Sequence, residues 1–130
     1  DLPLEYVDFF MVNEIEAKQF IDGDSEKDIL DEFTKTFPNS HIVMTVGKNG
    51  AYYAYRNDRE YHDVFDVEVI DTTGAGDTFT GYFVSSFIQN KHPYECLRIA
   101  SAASSIAVSH KGASASIPNL HQVYDFLSNY

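Results

Sequence analysis

Asp71-Thr72-Thr73-Gly74-Ala75-Gly76-Asp77-Thr78-Phe79 is the stretch on which the reading of this chain turns. Two glycines flank one small residue, so the backbone here can take positive φ and approach a ligand closely. An extended segment, Val64 to Ile70, leads in. A helix predicted from about Thr78 to Gln89 leads out, with Phe79, Phe83 and Phe87 four residues apart on one face. The start of such a helix presents unpaired N–H groups and the positive end of the dipole, which together form an anion hole, most often for phosphate. Two common phosphate motifs are absent. Thr78 and Phe79 stand where a G-x-x-x-x-G-K-[ST] loop would close, and Phe79 takes the last glycine position of G-x-G-x-x-G.

Asp77 is the anomaly, because a carboxylate in that first turn repels a bound phosphate. One explanation is structural: acidic residues at helix N-termini contribute about 0.3–1 kcal/mol through the dipole. The other is chemical, with Asp77 taking the proton of a hydroxyl that attacks a γ-phosphate. Phosphoryl transfer passes through a loose transition state in most analyses, so the hydroxyl needs positioning more than early deprotonation and a weak base suffices. Spacing alone leaves both readings open.

Upstream, Val7-Asp8-Phe9-Phe10-Met11-Val12 has the profile of a strand buried on both faces, and Glu14 to Phe20 reads as a short helix. Ligand crevices of α/β sheets lie at the carboxyl ends of strands. Asn13 and Glu16 therefore either face such a crevice and hold Mg2+ through water, or serve as a helix cap and a solvated side chain. Ser25 is the expected N-cap of a second helix, with Ile29, Leu30, Phe33 and Phe37 as its stripe and Pro38-Asn39 as its stop. A strand from His41 to Val46 follows. Thr45-Val46-Gly47-Lys48-Asn49-Gly50 then turns the chain into another strand, Ala51 to Tyr55, and offers a second nucleotide contact. Asn57-Asp58-Arg59-Glu60 reads as a solvated turn.

Downstream, a helix from about Tyr94 to Ser109 carries Ala100 to Val108, whose small side chains either allow close helix packing or leave room for a flat base. A loop from Lys111 to Pro118 precedes a last amphipathic helix running from Asn119 through Leu127. Strands interleaved with helices predict an α/β layer, largely parallel, with one antiparallel hairpin at Gly47–Gly50.

The 130 residues suit one domain. With 44% hydrophobic residues, nine Tyr and ten Phe, the chain can build a core without disulfides. Cys96 is the only cysteine, which excludes a disulfide within the chain, favours a reducing and hence cytoplasmic setting, and reads as core. A net charge of −11 and a pI near 4.6 disfavour nucleic acid and anionic membranes as partners. No apolar run approaches the ~18 residues of a membrane span. His41, His62, His92, His110 and His121 lack metal-ligand spacing and read as structural or solvated. The chain opens on Asp1-Leu2-Pro3-Leu4 rather than Met, which removal of a leader would explain and so would part of a longer chain.

Taken in order, these motifs resemble the C-terminal part of a ribokinase-like (PfkB-family) carbohydrate kinase. Asp71 to Phe79 is similar to the family's second signature, Asn13-Glu14-Ile15-Glu16 to its N-x-x-E element, and Thr45 to Gly50 to its T-x-G-x-x-G turn. Ala100 to Val108 and Lys111 to Pro118 are similar to its adenine-side helix and closing loop. The resemblance implies a partial three-layer α/β/α fold, comprising the C-terminal portion of a mostly parallel sheet with flanking helices. It implies Asp77 as catalytic base, with Gly74, Ala75 and Gly76 donating N–H groups to the transferring phosphate. Asn13 and Glu16 organise Mg2+ in that scheme, and Thr45, Gly47, Gly50 and Ser101 line ATP. A monovalent cation such as K+ is implied at Asp71, Thr73 and Ser116 and the carbonyls of Val108, Lys111 and Ala113. Members are more than twice this length. Residues 1–130 thus correspond to the nucleotide-binding, catalytic-base part, without the N-terminal half that holds the sugar-binding residues and the lid through which members often form homodimers. The isolated chain is accordingly expected to phosphorylate sugars negligibly.

The acceptor implied is a sugar or sugar derivative. A nucleoside or vitamin-precursor kinase of the same fold is the alternative within the enzyme class, and a non-catalytic nucleotide-binding module is the alternative outside it. Retention of the Asp77 carboxylate favours the enzyme.

Overall fold

The structure is a computed structural model that describes residues 8–21, 23–109 and 118–130. The chain forms two compact units, Asp1–Tyr61 and His62–Tyr130. The first carries β1 (Asp8–Asn13), α1 (Glu14–Phe20), α2 (Glu26–Thr36), β2 (Ser40–Thr45), a 3-10 turn (Gly47–Asn49) and β3 (Ala51–Tyr55), with β4 (Asp58–His62) closing it. The second carries α3 (Ala75–Ile88), α4 (Pro93–Val108) and α5 (Leu120–Leu127).

The sheet has the order β1-β2-β3-β4. β1 and β2 are parallel, with Phe10 opposite Ile42 and Val12 opposite Met44, whereas β2 and β3 are antiparallel. The sheet is therefore mixed: the expected parallel pairing holds for β1 and β2, and the expected hairpin reverses the chain after β2. α1 and α2 lie in the 26-residue connection from β1 to β2, well above the dozen or so residues that a parallel crossover needs, and they cover one sheet face. Ala17, Ile21, Ile29, Leu30 and Phe33 pack there on Ile42, Met44 and Ala54. Phe33 is fully buried and touches Phe10 at 5.6 Å between ring centroids; burying a side chain of this size contributes about 1.5–3 kcal/mol.

Four expectations need correction. Phe9 to Val12 are half-buried rather than buried on both faces, because β1 lies at the edge of the described sheet. The turn expected at Asn57–Glu60 shrinks to Arg56–Asn57, and Asp58–His62 forms β4. Its side chains are largely solvent-facing, so no apolar alternation marks it. Arg56 takes the positive φ (54°) of that tight turn and is steadied by donating from Nη2 to Asn39 Oδ1 at 3.1 Å. The segment Val64–Ile70, expected to be extended, is not paired into the sheet. Finally, α3 begins at Ala75, three residues before the expected Thr78.

In the second unit, Phe79, Phe83 and Phe87 stack along one face of α3 at 6.4 and 6.2 Å. The small residues of α4 let helices approach closely: Ala100, Ala102 and Ala103 are fully buried. Ile99, Ala102 and Ala103 form a core with Val123 and Leu127 of α5. His92 caps α4, its Nδ1 accepting from Tyr94 N at 3.1 Å, with Pro93 in the first turn. Among the described residues no helix is long and apolar enough to cross a membrane.

Candidate active site

The start of α3 is built by a tight turn. Ala75 N donates to Thr72 O at 3.1 Å, and Gly74 sits between them at φ 78°, ψ 0°. Those angles are the ones position i+2 of a type II turn requires, and they suit glycine alone without strain. The turn hands the chain directly into the helix, which is why α3 starts early. Ala75 is N1, Gly76 is N2 and Asp77 is N3.

This geometry sorts the expected donors. The Ala75 N–H closes the turn on Thr72 O. The first helical bond of the turn is Thr78 N to Gly74 O at 2.9 Å. The N–H groups of Gly76 and Asp77 have no hydrogen-bond partner among the described residues, as expected for the first turn of a helix. The donors left open in this turn, among the described residues, are therefore the Gly76 and Asp77 N–H groups, while that of the expected Ala75 is engaged by Thr72. A Cβ built on Gly76 meets nothing within 4 Å, so its missing side chain leaves the space above these donors open.

Asp77 is exposed and lines a cavity of about 410 Å3. The cavity runs beside α3 past Gly81 and Ser85 to Lys91, with Tyr82 and Tyr124 on its walls. Asp77, Gly81, Ser85 and Gln89 follow one another at four-residue steps, a pattern present in the sequence but obscured by the stronger phenylalanine stripe on another face. Lys91, Leu120 and Tyr124 come from other segments and had no sequence signal. Tyr82 Oη donates to Pro118 O, tying α3 to the entry of α5.

The loop before the turn is held from two sides. Ile70 N and Asp71 N donate to Val108 O at 2.7 and 3.0 Å, and Thr73 N donates to Asp71 Oδ1 at 2.8 Å. Val108 is the last residue of α4, where carbonyls lack helical partners. This carbonyl, expected among the cation ligands, accepts from both of these loop N–H groups. Lys111, Ala113 and Ser116 lie outside the described residues, leaving Asp71 and Thr73 of that expected set. Ser101, expected to line ATP, is buried on α4 at 9% exposure.

The remaining expected residues lie in the first unit. Asn13 and Thr45 are register partners at the carboxyl ends of the parallel strands β1 and β2. Asn13 is also the N-cap of α1: its Oδ1 accepts from Glu16 N at 2.7 Å, while Asn13 N donates to Glu16 Oε1 at 3.0 Å. This capping box uses one oxygen of each side chain, and both residues are exposed. Among the described residues no cluster of three or more His, Cys, Asp or Glu could cage a metal. A single exposed carboxylate beside a backbone rim fits Mg2+, which keeps several waters and takes one or two carboxylates together with phosphates. Beyond Thr45 the 3-10 turn is closed by Val46 N on Gly50 O at 2.8 Å. Gly50 is buried at φ 94° and Gly47 is exposed at φ 49°. Tyr61 Oη donates to Asn49 O at 2.7 Å and holds this turn to β4.

Cys96 is fully buried and its thiol is pushed up to about 11 by burial, which makes it a core residue and not a nucleophile.

Comparison with known proteins bears on the whole chain. The sequence profile of the pfkB family carbohydrate kinases matches residues 1–120. The ribokinase of Staphylococcus aureus is 34% identical over 126 residues, covering 92% of this chain and 41% of that protein. Two solved structures superpose with a TM-score of 0.84 at 29% identity. The ribokinase of Thermotoga maritima is matched over 94% of this chain and 42% of that one. The Arabidopsis thaliana ribokinase complexed with ribose and ATP is matched over 92% and 40%. The chain thus spans about two fifths of the length of the relatives it matches, and its α/β architecture is that part of the ribokinase fold. With 120 of its residues matched by the family profile and a fold shared with solved ribokinases, the chain belongs to the pfkB family of carbohydrate kinases.

Proposed function

We propose that this chain is the nucleotide-binding and catalytic-base part of an ATP-dependent kinase whose acceptor is a hydroxyl of a sugar or sugar derivative, in a domain that further residues complete. One observation supports this above the others. An exposed carboxylate, Asp77, lines a cavity, in the same helical turn as two N–H groups without a partner among the described residues and an uncovered glycine. The Arabidopsis relative holds ribose and ATP, which supports the same ligand classes here.

In this reading the acceptor hydroxyl donates a hydrogen bond to Asp77, which orients its oxygen toward the γ-phosphorus. As the new P–O bond forms and the bond to the β-phosphate oxygen breaks, the hydroxyl proton passes to the Asp77 carboxylate and the leaving ADP carries away the electron pair. Charge on the transferring group falls on the Gly76 and Asp77 N–H groups, at the positive end of α3. Losing one donor of this kind costs about 2.7–4 kcal/mol of transition-state stabilisation. Thr45, Gly47 and Gly50 would border the nucleotide, and Asn13 and Glu16 would hold Mg2+ through water. The ion, when bound, neutralises phosphate charge. Asp71 and Thr73 stay within reach of a K+ role, tested by replacing K+ with tetramethylammonium.

The test is Asp77→Asn in the complete kinase domain that contains this chain. Turnover falls about 10²–10⁴-fold while ATP affinity is kept. Unchanged turnover removes Asp77 from the chemistry, and loss of ATP binding in the unsubstituted protein removes the kinase reading altogether.

A further inference from the structure

We infer that Tyr61 is a positioning residue for the nucleotide, its hydroxyl holding the Gly47–Asn49 turn to β4. The inference rests on the kinase reading for what binds at this turn, and deepens it by one residue.

Tyr61 is an unusual residue for its place. It follows Asp58, Arg59 and Glu60 on β4, and it is 41% exposed. Burial alone does not explain an aromatic side chain there. Two contacts do. Its ring lies against that of Tyr52 on β3, at 4.7 Å between centroids. Its Oη donates to Asn49 O at 2.7 Å, twelve residues back along the chain. The first contact seats the ring, and the second carries the hydroxyl from β4 to the last residue of the 3-10 turn. The turn is otherwise closed from within. Val46 N donates to Gly50 O and Asn49 N to Val46 O, both at 2.8 Å, while Gly50 N reaches Gly47 O at a longer 3.3 Å. Gly47 and Gly50 take φ 49° and 94°, so both ends of the turn lack the restraint that a side chain imposes. The Tyr61 hydroxyl supplies a restraint from a different strand, on the Asn49 side. The Gly47 side stays uncovered, because a Cβ built there meets nothing within 4 Å. The turn is thus held at one end and open to a ligand at the other.

The experiment uses the complete kinase domain that contains this chain, with its Tyr61→Phe and Tyr61→Leu forms. Phenylalanine keeps the ring and its contacts and removes only the hydroxyl, whereas leucine removes both. Three quantities are read in each form: the Kd for Mg-ATP by calorimetry, the thermal midpoint without nucleotide, and amide exchange over residues 46–50. With Tyr61→Phe, exchange in the turn speeds up and the Kd rises about 3- to 10-fold, the scale of one neutral hydrogen bond. With Tyr61→Leu, the midpoint falls further for want of the ring, but the Kd rises no more than with Tyr61→Phe. An unchanged Kd in Tyr61→Phe overturns the inference, and so does unchanged exchange in the turn. A Kd that climbs in step with the loss of midpoint, and so is clearly worse for leucine, also overturns it, because the role is then structural only. These outcomes leave the kinase reading intact as long as the unsubstituted domain binds Mg-ATP. If the unsubstituted domain binds none, the kinase reading fails and the inference falls with it.

Discussion

Asn13 and Thr45 face each other in register across the last rung of the parallel pair β1/β2, so two residues from motifs 32 positions apart share one strand-end rim. Asn13 also caps α1 through its bond from Glu16 N. These two duties can be separated. Asn13→Ala loses about 1 kcal/mol of stability, read by urea denaturation, and weakens Mg-ATP binding. Asn13→Ser, a good N-cap with a shorter reach, recovers the stability and not the affinity. Full recovery of both would reduce Asn13 to a cap.

Gly74 and Gly76 sit two residues apart and answer differently to alanine. Gly74→Ala forces φ 78° on a side chain and costs about 1–2 kcal/mol. Gly76→Ala places its methyl in open space within a helix. It should raise stability by about 0.5–1 kcal/mol while lowering ATP affinity, because the methyl stands over the donors. Thermal melts with and without Mg-ATP read both effects. An unchanged ATP-dependent shift in Gly76→Ala would place the ligand elsewhere.

His41 makes the stability of the sheet depend on pH. It stacks on Tyr55 at 4.1 Å, its Nδ1 lies 2.7 Å from Tyr53 Oη, and burial, with the nearby Arg56 charge, lowers its pKa. A proton therefore binds the unfolded chain more readily. The stabilisation is complete above the unfolded value, about 6.5, and is lost as pH falls from there through the lower folded value. Denaturation midpoints measured between pH 8 and pH 5 should drop more steeply for the unsubstituted chain than for His41→Phe. Parallel curves would show that His41 does not titrate differently in the two states.

Cys96 is buried with its thiol raised to about 11. Iodoacetamide at pH 8 should leave it unmodified in the folded chain and alkylate it readily in 6 M guanidinium. Prompt labelling under native conditions would mean that α4 opens far more often than its packing indicates.

Local signals carried most of the fold. The helix α1 and its cap, Ser25 at the start of α2, the β3 strand and the phenylalanine stripe of α3 were legible because each depends on residues within one or two turns of each other. β4 was not. Its side chains face solvent, and only hydrogen bonding to β3 defines it, which leaves no mark on the hydrophobic pattern. The half-burial of β1 was equally invisible, since composition reports what a strand can bury and not whether a neighbour is present.

For the site, the residue types and their order were determined by the sequence alone: a glycine pair, a carboxylate after it, and an Asn/Glu pair and a threonine turn earlier in the chain. Which backbone groups stay unpaired among the described residues was decided only by the tertiary structure. Ala75 spends its N–H on Thr72, and Val108 spends its carbonyl on Ile70 and Asp71. The physical reason is that every backbone donor and acceptor is chemically the same in the sequence. Only the folded path of the chain determines which of them have already found partners and which are left for a ligand.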